Sequence, residues 1–541
     1  MSEQGPITSP VDDPPAAPPF DLGVASFDPT TDSVILWCAV DGGGTCHWEV
    51  ATDPAFFDIV ARGKQEAAPE TGIVQVEVDG LQPATAYWYR FTAQGRPSPV
   101  GRTRTLPADG ADHLRIGVTC CARYGQSTFA VYGELARTDV DVVVHLGDYV
   151  YEDTKADIAE RRPDPDHDCV TLDDYRRRHA QARRDPDLQA LHARHPMVVV
   201  WDDHDLADNA WAGGAKTHDE VAQGPWAQRQ QAALTAHQEY LPKRLADPSD
   251  PATAWRALDA GRFARIVATE TRAHRDEQAG LEGSLPADDP DRTMLGEAQE
   301  RRIGPLLADP TPRWLVVLSG TVVSELTIEA PDALDGLLPE KYAVVDGRAC
   351  NTDQWDGYVA ARRRLTAALG QRGARNVVLS GDIHSSWAIE GPADEDGTPV
   401  AVELVCPPAA TTPMGQLFPA GVGERLGPSL ADQLPGVRWV DALHHGFLVL
   451  ALTEHEATAT WWWVDPAGEA PTQVGRRWTT PAAGRPHLVD PEPTHRRPAG
   501  EQDPPPSPLA DQRRRRRNRR LLVAGAAAVA GALGLRHRRR G

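Results

Sequence analysis

Hydrophobic residues along this chain follow two rhythms. From about Gly23 to Leu106, short runs alternate apolar and polar positions; from Leu114 to about residue 465, blocks of consecutive apolar residues, mostly valine, are separated by longer charged stretches. The first rhythm has the period of half-buried strands and predicts them at Ser33–Val40, Thr45–Val50, Ile73–Val78 and Ala86–Phe91. Turn signals recur often enough for a small immunoglobulin- or fibronectin-like β-sandwich over 22–107. The second rhythm predicts fully buried strands alternating with helices. Strands are expected at Leu114–Thr119, Phe263–Thr269, Trp314–Ser319 and Val400–Val405, and in the apolar runs that begin at Val142, Val198 and Val377. Helices are expected at Thr128–Thr138, Leu172–His195 with its arginines on exposed faces, Pro225–Leu241 and Gly357–Leu369. Gly446–Thr453 and Ala457–Val464 read as an antiparallel hairpin at a sheet edge. The mixture implies an α/β sandwich of mixed sheets over 112–465.

Composition adjusts this picture at the ends. Residues 1–21, rich in Pro, Ala and acid, read as a disordered leader. They lack the basic and apolar regions of a secretory signal peptide, so the expected location is cytoplasmic or C-terminally membrane-associated. Residues 466–512 are Pro-rich and read as a linker. The segment 513–541 joins Arg clusters to a short apolar stretch, Leu521–Leu535, and is a candidate for membrane contact or for a basic tail. Eleven of the 56 basic side chains lie in this tail, where no acid occurs, so the body is more acidic than the net charge of −21 suggests. Such a body repels nucleic-acid backbones and argues against a stable nucleic-acid scaffold role. It does not exclude a phosphate ester, because a metal reverses the local field. The seven cysteines show no disulfide framework, although Cys38 and Cys46 flank a Gly-rich turn and are candidates to pair.

Candidate chemistry gathers at three strand ends: Val142-Val-Val-His-Leu-Gly-Asp-Tyr-Val-Tyr151, Val198-Val-Val-Trp-Asp-Asp-His-Asp205 and Val377-Val-Leu-Ser-Gly-Asp-Ile-His384. Ligands in α/β sheets sit beyond the carboxyl ends of strands, so three ends carrying carboxylate, imidazole and phenol point to one shared metal site. Asp148 is able to bridge two cations, and Tyr151, as a phenolate, suits a hard trivalent ion; alternatively Asp148 caps a helix and Tyr151 packs in the core. Asp202, Asp203 and Asp205 crowd around His204, which is costly without a cation. Asp382 and His384, two apart in an extended segment, are expected to point the same way. Cys120 and Cys121 end the first strand of the domain as buried hydrophobes or as one thiolate ligand. Arg123 is a candidate for holding an anionic substrate. Asn209 is a candidate to complete a metal shell, and Thr271-Arg-Ala-His-Arg275 reads as ion pairs that orient loops.

Gly-Asp-Tyr-Val-Tyr, Trp-Asp-Asp-His-Asp and Ser-Gly-Asp-Ile-His, in this order, resemble the PhoD-type alkaline phosphatases of the metallophosphoesterase superfamily. The cysteine at 121, Thr-Arg-x-x-Arg at 271–275, Asp353-Gln-Trp-Asp-Gly-Tyr358 and the N-terminal β-domain extend the resemblance over roughly 20–465. It implies a metallophosphoesterase-type α/β sandwich with two mixed sheets, preceded by a small N-terminal β-sandwich. It also implies hydrolysis of phosphomonoesters and phosphodiesters at a site holding Fe3+ and Ca2+, with Mn2+ or Zn2+ as possible replacements. By the resemblance Asp148 bridges metals, Tyr151 and Cys121 bind iron, and Asp203 with its neighbour Asp202 serves the second metal. His204 faces the phosphate, while Asp382 and His384 close the site. The chain departs from the family in Glu270, which stands where Asp is usual, in its doubled Cys120-Cys121, and in lacking the usual N-terminal twin-Arg signal.

The expected chemistry is attack on phosphorus by a hydroxide generated from metal-bound water, with Asp148, Arg123 and His204 as the catalytic side chains and a small phosphate ester as substrate. The rivals are a hydrolase of another bond, such as a phosphotriester or lactone, and a β-sandwich binding protein with a closed structural metal site.

Overall fold

The computed structural model describes residues 17–491, apart from 281–283, 330–341, 346–347, 374 and 469. The tail at 513–541, most of the leader and the end of the linker lie outside the described residues. Two large mixed sheets face each other. The first holds, in spatial order, strands Gln473–Pro481, Glu456–Trp463, Gly446–Thr453, His113–Thr119, Val142–His145, Met197–Val199, Val24–Phe27, Val34–Ala39 and Ile73–Val78. The second holds Arg256–Ala260, Ala264–Ala268, Trp314–Leu318, Asn376–Ser380, Val402–Val405, Ser386–Ile389 and Val437–Asp441. Alternate side chains of both, such as Val118, Val144, Val198, Val316, Val377 and Leu404, fill the shared core between them. Each such buried valine contributes about 1.5–3 kcal/mol. Helices cover the outer faces: Ala130–Arg137 and Pro186–Arg194 on the first sheet, Glu297–Ala308 and Val359–Arg372 on the second.

The Val-rich segments are the parallel strands. His113–Thr119 pairs in parallel with Val142–His145, which pairs in parallel with Met197–Val199. In the facing sheet Ala264–Ala268, Trp314–Leu318, Asn376–Ser380 and Val402–Val405 are likewise parallel. Residues that follow parallel strands emerge along one edge of each sheet, and this is why motifs distant in sequence meet.

Several details differ from expectation. The strand Val24–Phe27 pairs in parallel with Met197–Val199, so part of the N-terminal β-region continues the main sheet. The remaining strands of that region, among them Thr45–Ala51, Ile59–Glu66 and Ala86–Ala93, form a second sheet packed on it. The stretch expected as a single helix over 172–195 is two helices, Leu172–Arg183 and Pro186–Arg194. Arg184 ends the first and Asp185 caps the second, accepting from the amides of Asp187 and Leu188, with Pro186 at the first helical position. Its arginines are not all exposed, for Arg178 and Arg183 are buried. Within the expected linker, Gln473–Pro481 is a strand that pairs with Glu456–Trp463, so the hairpin 446–463 is not at the edge. Phe20, in the expected leader, is fully buried. Cys38 and Cys46 are both free thiols, their sulfurs 4.0 Å apart. Among the described residues no helix is long and apolar enough to cross a membrane.

Candidate metal centre

The loops leaving seven strand ends build one crest. Gly147 lets the second and third of these loops touch: its φ is +103°, and a Cβ there would lie 2.5 Å from Asp202. Five candidate ligands or their neighbours, Cys121, Asp148, Asn209, Asp382 and His384, hold φ between +49° and +65°. Non-glycine residues seldom adopt this region, and backbone strain of this kind gathers at functional sites.

Side chains on the crest fall into overlapping groups whose ligand atoms lie within 4.8 Å of one another: Cys121, Asp148 and His384; Asp148, Asp203 and His204; Glu152, Asp153 and His204; and Asp202, Asp203 and Asp382. Tyr151 belongs to the first group. Its hydroxyl donates to Asp148 Oδ2 at 2.6 Å and lies 3.5 Å from His384 Nε2 and 2.9 Å from Thr411 Oγ1. The doubled cysteines separate here, since Cys121 joins the donors while the Cys120 thiol turns to the carbonyls of Cys406 and Pro407. Asp382 and His384 do not point the same way. Their left-handed backbone sends Asp382 to the group of Asp202 and Asp203, and His384 to that of Cys121. Asn209 donates its backbone amide to Asp203 Oδ2 at 2.7 Å.

Arg272 sits at the other end of the crest, fully buried. It forks onto both oxygens of Asp202, meets Asp353 at 2.9 Å, and lies 3.6 Å from Asp203 and from Asp382. Arg275 and Gln278 share Asp353. The Thr-Arg-x-x-Arg segment thus acts through ion pairs, and both Asp202 oxygens are committed to Arg272. Arg123 pairs with Asp153 and stacks 3.8 Å over the Tyr151 ring. A shallow crevice lined by Arg123, Tyr124, Tyr151 and Lys155 among others opens beside them.

Two carboxylates outside the expected ligand list organise the crest. Asp205 accepts from the amides of Asp148, Tyr149, Val150 and Asp202, tying two motif loops together. Glu152 accepts from His204 Nδ1 at 2.7 Å and from the Asp208 amide at 2.8 Å. Both were visible in the motifs, Asp205 as the last residue of Trp-Asp-Asp-His-Asp and Glu152 just after Tyr151. Nothing in the sequence flagged Thr411.

Burial sets the protonation. It pushes Asp148 well above the usual carboxylate range, with the charges of Asp203 and Asp205 adding to the effect and His204 opposing it. It also pushes the Cys121 thiol and the Tyr151 phenol well up. Burial opposes charge on His204 and on Asp203 as well, but their partners win. Glu152 and Asp203 hold His204 well above the ordinary imidazole value, while Arg272 and His204 hold Asp203 low. These residues fit a cation. Asp203 Oδ1 is buried and accepts no hydrogen bond, protons stand on a thiol and a phenol that a metal would displace, and Asp148 is buried among like charges that a cation would relieve.

Two facing mixed sheets, with carboxylates, imidazoles, a thiol and a phenol gathered where their parallel strands end, define the class: an α/β sandwich built around a cluster of metal donors. The sequence profile of the PhoD-like phosphatase family matches residues 116–461, and that of the PhoD-like phosphatase N-terminal domain matches 6–107. The chain belongs to the PhoD-like phosphatase family. It is 35% identical to alkaline phosphatase D of Bacillus subtilis (strain 168) over 395 residues, which cover 68% of this chain and 65% of that protein, just under two thirds of its length. A solved structure of PhoD superposes with a TM-score of 0.76 at 28% identity, covering 87% of this chain and 92% of that one. The purple acid phosphatase PPD1 from yellow lupin (Lupinus luteus) seeds shares the fold, with a TM-score of 0.51 at 12% identity over 84% of this chain and 73% of that one.

Proposed function

We propose that this protein is a metal-dependent phosphoesterase acting on phosphomonoesters, phosphodiesters or both. The observation that carries the reading is the meeting of Cys121, Asp148, Tyr151 and His384 in one group that shares Asp148 with Asp203 and His204. The likeness to alkaline phosphatase D supports it. Cys121, Tyr151, Asp148 and His384 would hold an Fe3+, and Asp148, Asp203 and Asp382, with Asn209 nearby, a Ca2+; Asp202 stays with Arg272. What cations supply at such a site is polarisation of phosphoryl oxygens and acidification of water.

The chain's own residues do the rest. Arg123, held by Asp153 and Tyr151, offers its charge to the non-bridging oxygens. Glu152 fixes Nδ1 of His204, which leaves the Nε2–H to protonate the departing alkoxide. Asp205 keeps the Asp148 and Asp202 loops in register, so the donors need no rearrangement when substrate arrives. A closed structural site is disfavoured because His204 and Asp382 keep 13% and 16% of their side-chain surface exposed at the rim.

The test is hydrolysis of a chromogenic phosphodiester and monoester by wild type beside Asp148→Asn, with metal content read on the same samples. Turnover lost together with iron or a divalent ion supports the reading, and manganese or zinc in place of iron and calcium would revise the cofactor. No turnover in metal-replete wild type overturns it.

A further inference from the structure

Most of the segment Asp353-Gln-Trp-Asp-Gly-Tyr358 is scaffolding. Asp353 pairs with Arg272 and Arg275, Asp356 pairs with Arg362 and accepts from the Leu326 amide, and Trp355 fills the core. Gln354 differs, because its side chain reaches the crest. Its Oε1 accepts from the Val322 amide at 2.7 Å, and its Nε2 donates to Asp382 Oδ2. A backbone N–H can donate only to the carbonyl end of a glutamine, so Val322 fixes which way round the side chain lies, and the NH2 end has to face Asp382. The backbone leaves little play. Gln354 is buried, its own amide donates to the Asn351 carbonyl at 3.1 Å, and its carbonyl accepts from Gly357 at 3.0 Å. The Trp355 amide adds a second tie to Val322, through its carbonyl at 3.3 Å.

Asp382 is divided between two neighbours. While Gln354 grips Oδ2, Oδ1 lies 3.6 Å from Arg272 Nη2, and Asp203 Oδ1 lies at the same distance from the same nitrogen. The two oxygens therefore turn toward a common space, beside a guanidinium that already forks onto Asp202 and meets Asp353. Positive charge is short here. Four carboxylates, Asp202, Asp203, Asp353 and Asp382, face two guanidiniums, Arg272 and Arg275. For this reason the kind of donor at 354 matters. A lysine or arginine would orient Asp382 and neutralise it in one step. A neutral amide orients the carboxylate and leaves its charge to attract a cation. Without that amide, Asp382 is drawn onto Arg272, because charge-assisted hydrogen bonds are the stronger kind, and a ligand is lost.

We propose that Gln354 is a positioning residue for the second cation: it holds Asp382 off Arg272 and presents its Oδ1 beside Asp203 Oδ1. The inference rests on the metal-dependent reading above and adds to it that affinity at the Asp203–Asp382 end is set through a neutral side chain that acts on the carboxylate rather than on the metal.

The test is calorimetric titration of calcium, and separately of manganese, into the full chain after EGTA treatment, for wild type, Gln354→Met and Gln354→Asn, with iron content read on the same samples. Methionine matches the length of glutamine but makes neither hydrogen bond. Asparagine stays neutral and polar but, one methylene shorter, cannot span Val322 and Asp382. Loss of an oriented partner behind a ligand weakens metal binding about 10- to 100-fold. We expect that rise in Kd in both variants, with iron per chain unchanged. Asp356→Ala is the control. It loosens the same turn through Leu326 and Arg362 without touching Asp382, and should lower Tm but leave Kd where it is. Equal Kd in wild type and Gln354→Asn overturns the proposal. So does an equal rise in Asp356→Ala, which would make the rigidity of the turn the cause. Should Gln354→Met not fold, Gln354→Asn decides. Wild type that binds neither ion overturns the metal-dependent reading itself, an outcome distinct from unchanged affinity in the variants.

Discussion

Around Arg272, four aspartates converge on a guanidinium that the chain itself supplies. Around Asp148, on the same crest, a carboxyl, a thiol, a phenol and an imidazole crowd together, and the guanidinium that stacks over Tyr151 pairs with Asp153 and with none of these four. Both ends are buried, and both would be costly if their acids were ionised and unpaired. At the first end Asp202 and Asp353 find their counter-charge in arginines when the chain folds, with Asp203 and Asp382 left at 3.6 Å on the side toward the working site. The second keeps its protons until something from outside takes their place. The difference separates scaffold from working site: a built-in cation fixes geometry, while an exchangeable one brings reactivity.

The strongest test of that contrast is Asp148→Asn. Asn tolerates the left-handed backbone at this position, so the fold should persist. Metal should be lost, and kcat/KM should fall by about 10³-fold, since a catalytic cation supplies several kcal/mol. Circular dichroism, metal analysis and turnover on one sample check this, and normal turnover would remove Asp148 from the site. Arg272→Ala should act on the other property. Removing one partner of a buried ion-pair cluster costs about 3–5 kcal/mol, read as a lower urea midpoint in metal-free protein. A midpoint within about 0.5 kcal/mol of wild type, the range of an ordinary surface change, would erase the distinction between the two ends.

Glu152→Gln sharpens the comparison from within the working end. It keeps the shape but removes the charge that holds His204 protonated, and kcat should fall about 10- to 100-fold, as when other oriented partners are lost. KM should change little, and a pure KM effect would assign Glu152 to substrate binding. The smallest effect concerns pH. In the metal-free protein burial keeps the Cys121 thiol and the Tyr151 phenol protonated at neutral pH. Binding a cation must release those protons, so affinity should rise with pH, about tenfold per unit for each proton released. A competition titration with a chelating dye from pH 6 to 8 measures the slope. A flat profile would mean that neither group is a ligand.

What the chain reveals by itself is uneven for physical reasons. Val142–His145 and Asn376–Ser380 were legible because buried parallel strands need unbroken apolar runs, and the ligands follow each run directly. The separation of Asp382 from His384 was not, because it depends on left-handed backbone at non-glycine residues, which tertiary contacts impose. The break between helices Leu172–Arg183 and Pro186–Arg194 was written in Asp185-Pro186, yet the charged periodicity on both sides concealed it. Arginine in a polar helix reads as surface, so the burial of Arg183 was invisible. Thr411 reaches Tyr151 only because the loop after Val402–Val405 folds over Cys121, whose carbonyl it meets at 2.9 Å. The strand Gln473–Pro481 hid between Pro471 and Pro481, although Trp478 lies buried within it.

The way the first sheet is stitched bears on the order in which the protein can come into being. Val24–Phe27 has to wait for Met197–Val199, and His113–Thr119 has to wait for Gly446–Thr453. A chain growing from its N-terminus therefore carries open strand edges for most of its synthesis, and pairings this remote are slow to close. Asp148 and Cys121 are translated early, but the strand that leads into Cys121 gains its last neighbour only when the segment near 450 emerges, and His384 follows a strand made late in the chain. Cation capture is therefore expected to fall at the end of biogenesis, in the compartment where the finished chain folds, and that compartment's ion supply would decide which metals the site receives.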